Sequence, residues 1–421
     1  LVIIGSGMIL LTWAAGSDWL PGRWTTGAAL AVWLLPYMLF ICLAAILSAG
    51  LNLVGRFAVA ASTPILLNLA MIAALTAGLW LNADAARIVY WLCGGVLVGG
   101  CLQLLLPAID LMRQGWRPRV ESAGGAALAE LWQLFLPGLL GAAILQVNIL
   151  VSRLLAYSLD ESAVSVLYLA SRLMELPLGV FTIAVATVFF PLLAKALSTG
   201  DEAGFSTAFL QGLRLVIGIS LPAGVGLYVL GEPIIELLFF WGAFGRADVM
   251  ATVPLLAIYG IGLPFYSAAT FATRGLHASK DMRTPVRVAG YCLLINFSAG
   301  LLLMQFWGAC GLATANVLAA IAQSYLLWRA LSARHAALSF RAMRPALAKL
   351  LLAGAVMGAA CAITSRWLNA FGFAEKLDAA LAVAVCVPGG VCVYFALLYL
   401  LRFKELDALK ALLLRYFPKS K

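Results

Sequence analysis

LASRLMELPLGVFTIAVATVFFP, residues 169–191, holds only two charges, Arg172 and Glu175. At a rise of about 1.5 Å per residue, a helix of this length crosses a hydrocarbon layer of roughly 30 Å. A charge inside a bilayer costs at least about 2.5 kcal/mol on insertion scales, which makes both side chains functional candidates. They lie three residues apart on one helix face, and Pro177 weakens the helix just beyond them. Two readings follow. A guanidinium beside a breakable helix can serve a moving anion site, or the pair can neutralise itself and glue the helix to a neighbour.

The same composition runs the length of the chain. Of the 421 residues, 64% are hydrophobic and 11% charged, and the mean hydropathy is +1.01, against roughly 25% charge in soluble domains. The class implied is an all-α polytopic membrane protein. Breaks at charged and Pro/Gly-rich positions divide it into about twelve transmembrane helices: 1–16, 27–49, 63–81, 88–109, 129–157, 164–194, 207–230, 250–273, 288–306, 311–330, 346–365 and 379–401. The chain opens at Leu1 in an apolar run, without Met, basic leader or cleavage site, and reads as beginning inside a larger protein. The eight cysteines show no CxxC pair or metal spacing and read as small apolar packing residues.

If the spans alternate in direction, the other side receives only Arg23, Arg87, Arg246, Arg366 and Lys376, and Arg153 and Arg172 fall within spans. The remainder of the 28 lysines and arginines share one side, which the positive-inside rule assigns to the cytoplasm, with the C-terminus. That bias accounts for the basic loops without nucleic acid. In the tail, Phe403, Leu406, Leu409, Leu413 and Phe417 fall near one stripe. It reads either as an interfacial amphipathic helix or as a soluble helix packed on a loop.

Gly50-Leu51-Asn52 followed by Thr63-Pro64-Ile65 resembles Gly275-Leu276-His277 followed by Thr284-Pro285-Val286. Pro at a helix head with Thr capping it would suit both places. The match relates the second span to the eighth and gives a six-helix repeat, the construction of many secondary transporters. The first unit then lacks two opening helices.

Other intramembrane polar groups are Arg153, which can bind an anion or snorkel to headgroups, and Gln146, Asn148 and Ser152 before it, which can line a polar face or serve as interhelical glue. Asn68 and Asn296 are further candidates. His277 and His335 are isolated beside basic loops and suggest no metal site. Phosphate-cradling glycine loops, nucleophile elbows and HExxH motifs are missing, so the sequence shows no enzyme machinery.

Four strings, Leu47–Leu69, Leu169–Pro191, Leu238–Asp248 and Arg274–Val286, together resemble the MurJ/MviN family of lipid II flippases, in the superfamily (MOP) that also holds MATE drug extruders and polysaccharide flippases. RLxELPLGVFxIAxATVxxP is the most specific, because hydropathy does not demand its order of charges, Pro and Gly. The resemblance implies a two-lobed MATE-like architecture of fourteen helices with the first two missing here. Residues 1–110 would be a partial N-lobe, 127–332 the C-lobe, 342–401 a final helix pair with a groove for the lipid tail, and 402–421 a cytoplasmic amphipathic tail.

It also implies flipping of lipid II, the polyprenyl-diphosphate-linked peptidoglycan precursor, from cytoplasmic to periplasmic leaflet of the bacterial inner membrane by alternating access through a central cationic cavity. The family's essential arginine in the RLxE segment carries over to Arg172, with Glu175 beside it. Arg153, Asn148 and Arg56 complete the candidate substrate-binding set. No cofactor is expected, though a monovalent cation or the membrane potential could drive transport. Some members place a cation-associated acid in the span that here has Asn296 and Gly300 but no acid. Expected partners are lipid II, membrane lipids and cell-wall synthesis proteins. The alternatives are a polysaccharide-unit flippase or cation-coupled drug exporter of the same superfamily, and a non-transporting scaffold.

Overall fold

The structure, a computed structural model, describes residues 2–16, 22–117, 143, 146–159, 162–371, 375–403, 405 and 406. Among these, all regular structure is helical. The order is α1 (Val2–Ala15), α2 (Gly22–Leu53), α3 (Phe57–Trp80), α4 (Ala85–Arg113), α5 (146–159), α6 (Ala163–Pro177), α7 (Ile183–Ser198), α8 (Glu202–Val229), α9 (Gly231–Phe239), α10 (Arg246–Ala278), α11 (Arg283–Arg334), α12 (Arg344–Asn369) and α13 (Glu375–Leu400). Nine described helices or fused helices are long and apolar enough to cross a membrane. Many large side chains lie bare on the outside, such as Trp80, Ile363 and Tyr399. Such a surface is stable only against lipid.

The expected spans each fall on a helix, although most of the fifth span before residue 146 lies outside the described residues. Span six comprises α6, α7 and the π-helical turn Leu178–Thr182 between them. Spans nine and ten are the arms of α11. A straight helix would hold Asn296 and Asn316 roughly 30 Å apart, yet both reach Ser152, at 2.9 and 3.5 Å. The chain reverses at Gly308, whose φ of 53° and ψ of −129° suit only a residue without Cβ. α9, a short helix in a connection, was not foreseen.

The chain divides into two compact units, Leu1–Leu128 and Ala129–Lys421. In the first, α4 lies against α3 and α2. A Cβ at Gly99 would come within 2.9 Å of the Leu67 backbone, so only glycine allows that approach. Pro64 lies inside α3, seven residues beyond its start, so the expected cap by Thr63 is wrong. Pro64 has no N–H for the carbonyl of Ala60, and the Thr63 hydroxyl donates to it instead, at 3.0 Å. The Gln103 amide donates to the Thr63 carbonyl at 3.1 Å and the Tyr37 hydroxyl to Gln103 Oε1 at 3.3 Å. The early proline is thus tolerated because the hydroxyl beside it takes up the carbonyl it leaves without a donor, while Gln103 and Tyr37 tie the same turn to α4 and α2.

In the second unit, the α11 head is capped by Asp281, not by Thr284. Asp281 Oδ1 accepts from the amides of Arg283 and Thr284, both at 3.0 Å, because Thr284 is already within the first turn. Arg334, at the far end of α11, reaches Asp281 Oδ2 at 2.6 Å. His335 is buried, with Nδ1 2.6 Å from Glu202 and its ring against Phe205. These contacts gather the start of α8, the end of α10 and both ends of α11, the alternation expected from the sequence.

The apolar core of this unit has three parts. One joins α5, α6, the end of α8, α9, α10 and the second arm of α11; another joins α7, α8, α10 and both arms of α11. α6 and α7 therefore anchor in different cores, with the π turn between them, where buried Thr182 donates to Ser267 at 3.0 Å. The third core seats α12 and α13 on α8, and Cys361 and Cys386 join the helix pair through each other's carbonyls. Phe403 and Leu406 fold back onto it and Glu405 pairs with Arg214 at 2.7 Å. The tail stripe beyond Leu406 lies outside the described residues.

Candidate functional site

α6 buries Ala163, Val166, Leu167, Ala170, Leu173 and Met174. Its opposite face carries Ser165, Tyr168, Arg172 and Glu175, all exposed and spaced three or four apart. Sequence spacing alone dictates this stripe. Arg172 Nη1 meets Glu175 Oε2 at 2.8 Å, and the two side chains are 57% and 50% exposed. The pair is thus not locked between helices. A guanidinium and a carboxylate open at the depth of a membrane span need water or a polar ligand beside them.

Arg153, on α5, comes to the same place. Its guanidinium carbon lies 5.9 Å from the centre of the Tyr168 ring, and that of Arg172 lies 5.1 Å from it, within the roughly 6 Å reach of cation–π attraction. Sequence reading named both arginines and missed the ring between them, although its position four residues before Arg172 was a usable signal.

Asn148 and Ser152 face inward. Buried Asn296 donates to Asn148 Oδ1 at 2.7 Å and to Ser152 Oγ at 2.9 Å. These three tie α5 to α11 as interhelical hydrogen bonds, beside the arginine site but with part of their capacity used. Gln146 and Asn68 are exposed on their own helices. Arg56 lies in the other unit. Its Nε and Nη2 hold both oxygens of Asp110, at 3.0 and 2.6 Å, joining the α2–α3 turn to the end of α4. Among the described residues, no three His, Cys, Asp or Glu side chains gather as a metal site.

The second unit also contains an apolar groove of about 1000 Å³. Its walls come from α8, α10, the second arm of α11 and α12, with Ile217, Leu221, Ile261, Phe265, Trp328 and Leu351 among the lining. Of the final helix pair, α12 contributes to the lining and α13 does not. The groove has the chemistry of a hydrocarbon chain's binding site.

The family model described as lipid II flippase MurJ matches residues 1–381. The chain belongs to the lipid II flippase MurJ family. It is 33% identical over 392 residues to a probable lipid II flippase MurJ of Rhizobium meliloti, covering 90% of this chain and 71% of the relative. With a probable lipid II flippase MurJ of Vibrio cholerae it shares 32% identity over 420 residues, 96% of this chain and 79% of that one. Among solved structures, it resembles a lipid II flippase MurJ in an inward closed conformation, at a TM-score of 0.75 and 24% identity, over 94% of this chain and 80% of that one. It also resembles an inward-facing multidrug resistance MATE family transporter of the MOP superfamily, at 0.66 and 14% identity, over 80% and 79%. These two likenesses show a shared fold, a multi-span bundle of membrane helices, and the family match makes the chain a transporter and not an enzyme.

Proposed function

We propose that the chain carries lipid II from the cytoplasmic to the periplasmic leaflet of the bacterial inner membrane by alternating access. One observation carries the reading: Arg172 is half-exposed within a membrane span, tied through one nitrogen to Glu175, and adjoins a second guanidinium and a π-helical break. A diphosphate cannot enter hydrocarbon bare. Guanidinium groups offer it planar, charge-assisted hydrogen bonds in place of water. Arg172, Arg153 and Glu175 would form the headgroup site, with Asn148 supporting α5 beneath it.

The polyprenyl tail would stay in hydrocarbon, and the apolar groove supplies a surface for it. The basic loops and C-terminus would face the cytoplasm, and residues 1–110 and 127–332 would act as the two lobes. A monovalent cation or the membrane potential would supply the bias, and cell-wall synthesis proteins would receive the cargo. For movement, the π turn is suited to bend, since α6 and α7 are held by separate cores. A drug exporter is the weaker reading, because the acid on this face, Glu175, is already paired with Arg172.

The test is Arg172→Ala in the full-length protein, with leaflet-specific labelling of lipid II in cells that depend on it. The expected result is normal expression with lipid II held in the inner leaflet. Wild-type labelling of the outer leaflet would remove Arg172 from the site.

A further inference from the structure

Five arginines elsewhere each have a carboxylate within reach: Arg56, Arg87, Arg214, Arg246 and Arg334. Arg153 has none among the described residues, although, like Arg172, it lies over the Tyr168 ring. Two guanidinium groups and one carboxylate leave this corner with a net positive charge. Like charges brought together in a low-dielectric setting repel. The aromatic face offsets part of that repulsion and an anion can offset the rest.

The geometry points to a specificity device: Tyr168 is a positioning residue that holds Arg153 beside Arg172, and Arg153 supplies the second guanidinium needed to bind a diphosphate more tightly than a monophosphate. The inference rests on the transport reading above and adds the discrimination between headgroups. Glu175 occupies only one nitrogen of Arg172, so Arg172 retains donors for one phosphate. Arg153 is then available to the other. Because α5 and α6 belong to one core, the two cations are presented by helices that move together, and the spacing between them survives a bend at the π turn.

Native mass spectrometry of the purified full-length protein, titrated separately with undecaprenyl diphosphate and undecaprenyl monophosphate, tests this. Wild type should favour the diphosphate by about tenfold, the effect of roughly one charge-assisted hydrogen bond. Arg153→Gln should bring the ratio to about one, with an unchanged thermal unfolding profile in detergent reporting an intact fold. Tyr168→Leu should lower the ratio in the same way, and Tyr168→Phe, which keeps the ring, should restore it. An undiminished ratio in Arg153→Gln or Tyr168→Leu overturns the inference. If Arg172→Gln loses both lipids while Arg153→Gln keeps the wild-type ratio, the inference fails and the transport reading stands. A wild type that binds neither lipid defeats both.

Discussion

Arg56 and Arg172 each meet one carboxylate, and the two pairs are built for different purposes. Arg56 spends two nitrogens on both oxygens of Asp110, across 54 residues of sequence, and Asp110 is 9% exposed. Arg172 gives one nitrogen to an acid one turn away, with both side chains half-exposed. A bidentate pair between elements fixes the chain and uses up the planar fork. A single contact within one helical turn fixes nothing that the helix has not already fixed, and it leaves donors for a ligand. A carboxylate partner alone therefore does not tell whether an arginine can still take a ligand. The number of donors left over does.

The largest expected effect separates the two arginines by function. Arg172→Lys should cut lipid II translocation in proteoliposomes by about a hundredfold, because an ammonium cannot reproduce the fork. Arg56→Lys should leave the rate within about threefold, since its role is to neutralise Asp110. The contrast disappears if both lysine variants transport equally.

Stability should show the reverse order. Arg56→Ala leaves the Asp110 carboxylate buried without a partner and should lower unfolding stability by about 2 kcal/mol. The double variant with Asp110→Ala should recover most of that loss, since the stranded charge is gone. Thermal unfolding in detergent measures both, and an additive double variant would show the pair to be uncoupled.

What the sequence made legible was whatever hydropathy and helical spacing control. The spans, the break between the ninth and tenth and the shared face of Arg172 and Glu175 all follow from residues close in sequence. The errors arose where a distant group changed the local rule. Thr63-Pro64 resembles a helix start, yet the Thr63 hydroxyl takes the Ala60 carbonyl that Pro64 leaves without a donor, Gln103 of α4 holds the same turn, and α3 runs through. Likewise Asp281 takes the capping role because Arg334 returns from the far end of α11 to balance it. Arg153 and Arg172 were each legible as intramembrane cations, but their meeting over Tyr168 depends on how α5 packs against α6.

A third pair, Arg334–Asp281, sharpens the comparison through pH. Burial pushes the Asp281 carboxyl upward, but hydrogen bonds from Thr284, the charge of Arg334 and the Arg283 amide together hold it below its ordinary value of 3.8. A carboxylate with a lowered folded value contributes its full stabilisation above its ordinary, unfolded value and loses it as pH falls from there through the folded one. Asp281→Asn should therefore cost about 1 kcal/mol at neutral pH. The gap from wild type should narrow once the pH drops below 3.8. A gap that persists at pH 3 would mean that packing, not charge, supports this end of α11.

The smallest stability change should come from Glu175→Gln, and its smallness is what makes it informative. An exposed pair at i and i+3 contributes less than about 0.5 kcal/mol, because solvent screens it and both side chains lose freedom in forming it. Unfolding should therefore be nearly unchanged, unlike that of Arg56→Ala. Anion binding should respond in the opposite sense. Removing the carboxylate's charge leaves that of Arg172 uncompensated by its neighbour, so undecaprenyl diphosphate should bind a few-fold tighter and with a steeper dependence on salt, since one more net positive charge faces it. Tighter binding need not speed transport, because a carrier must also release its cargo, and affinity gained equally in the bound state and along the path raises occupancy without raising turnover. If Glu175→Gln instead weakens binding, the acid orients Arg172 for the ligand and the two ion pairs are more alike than their geometry suggests.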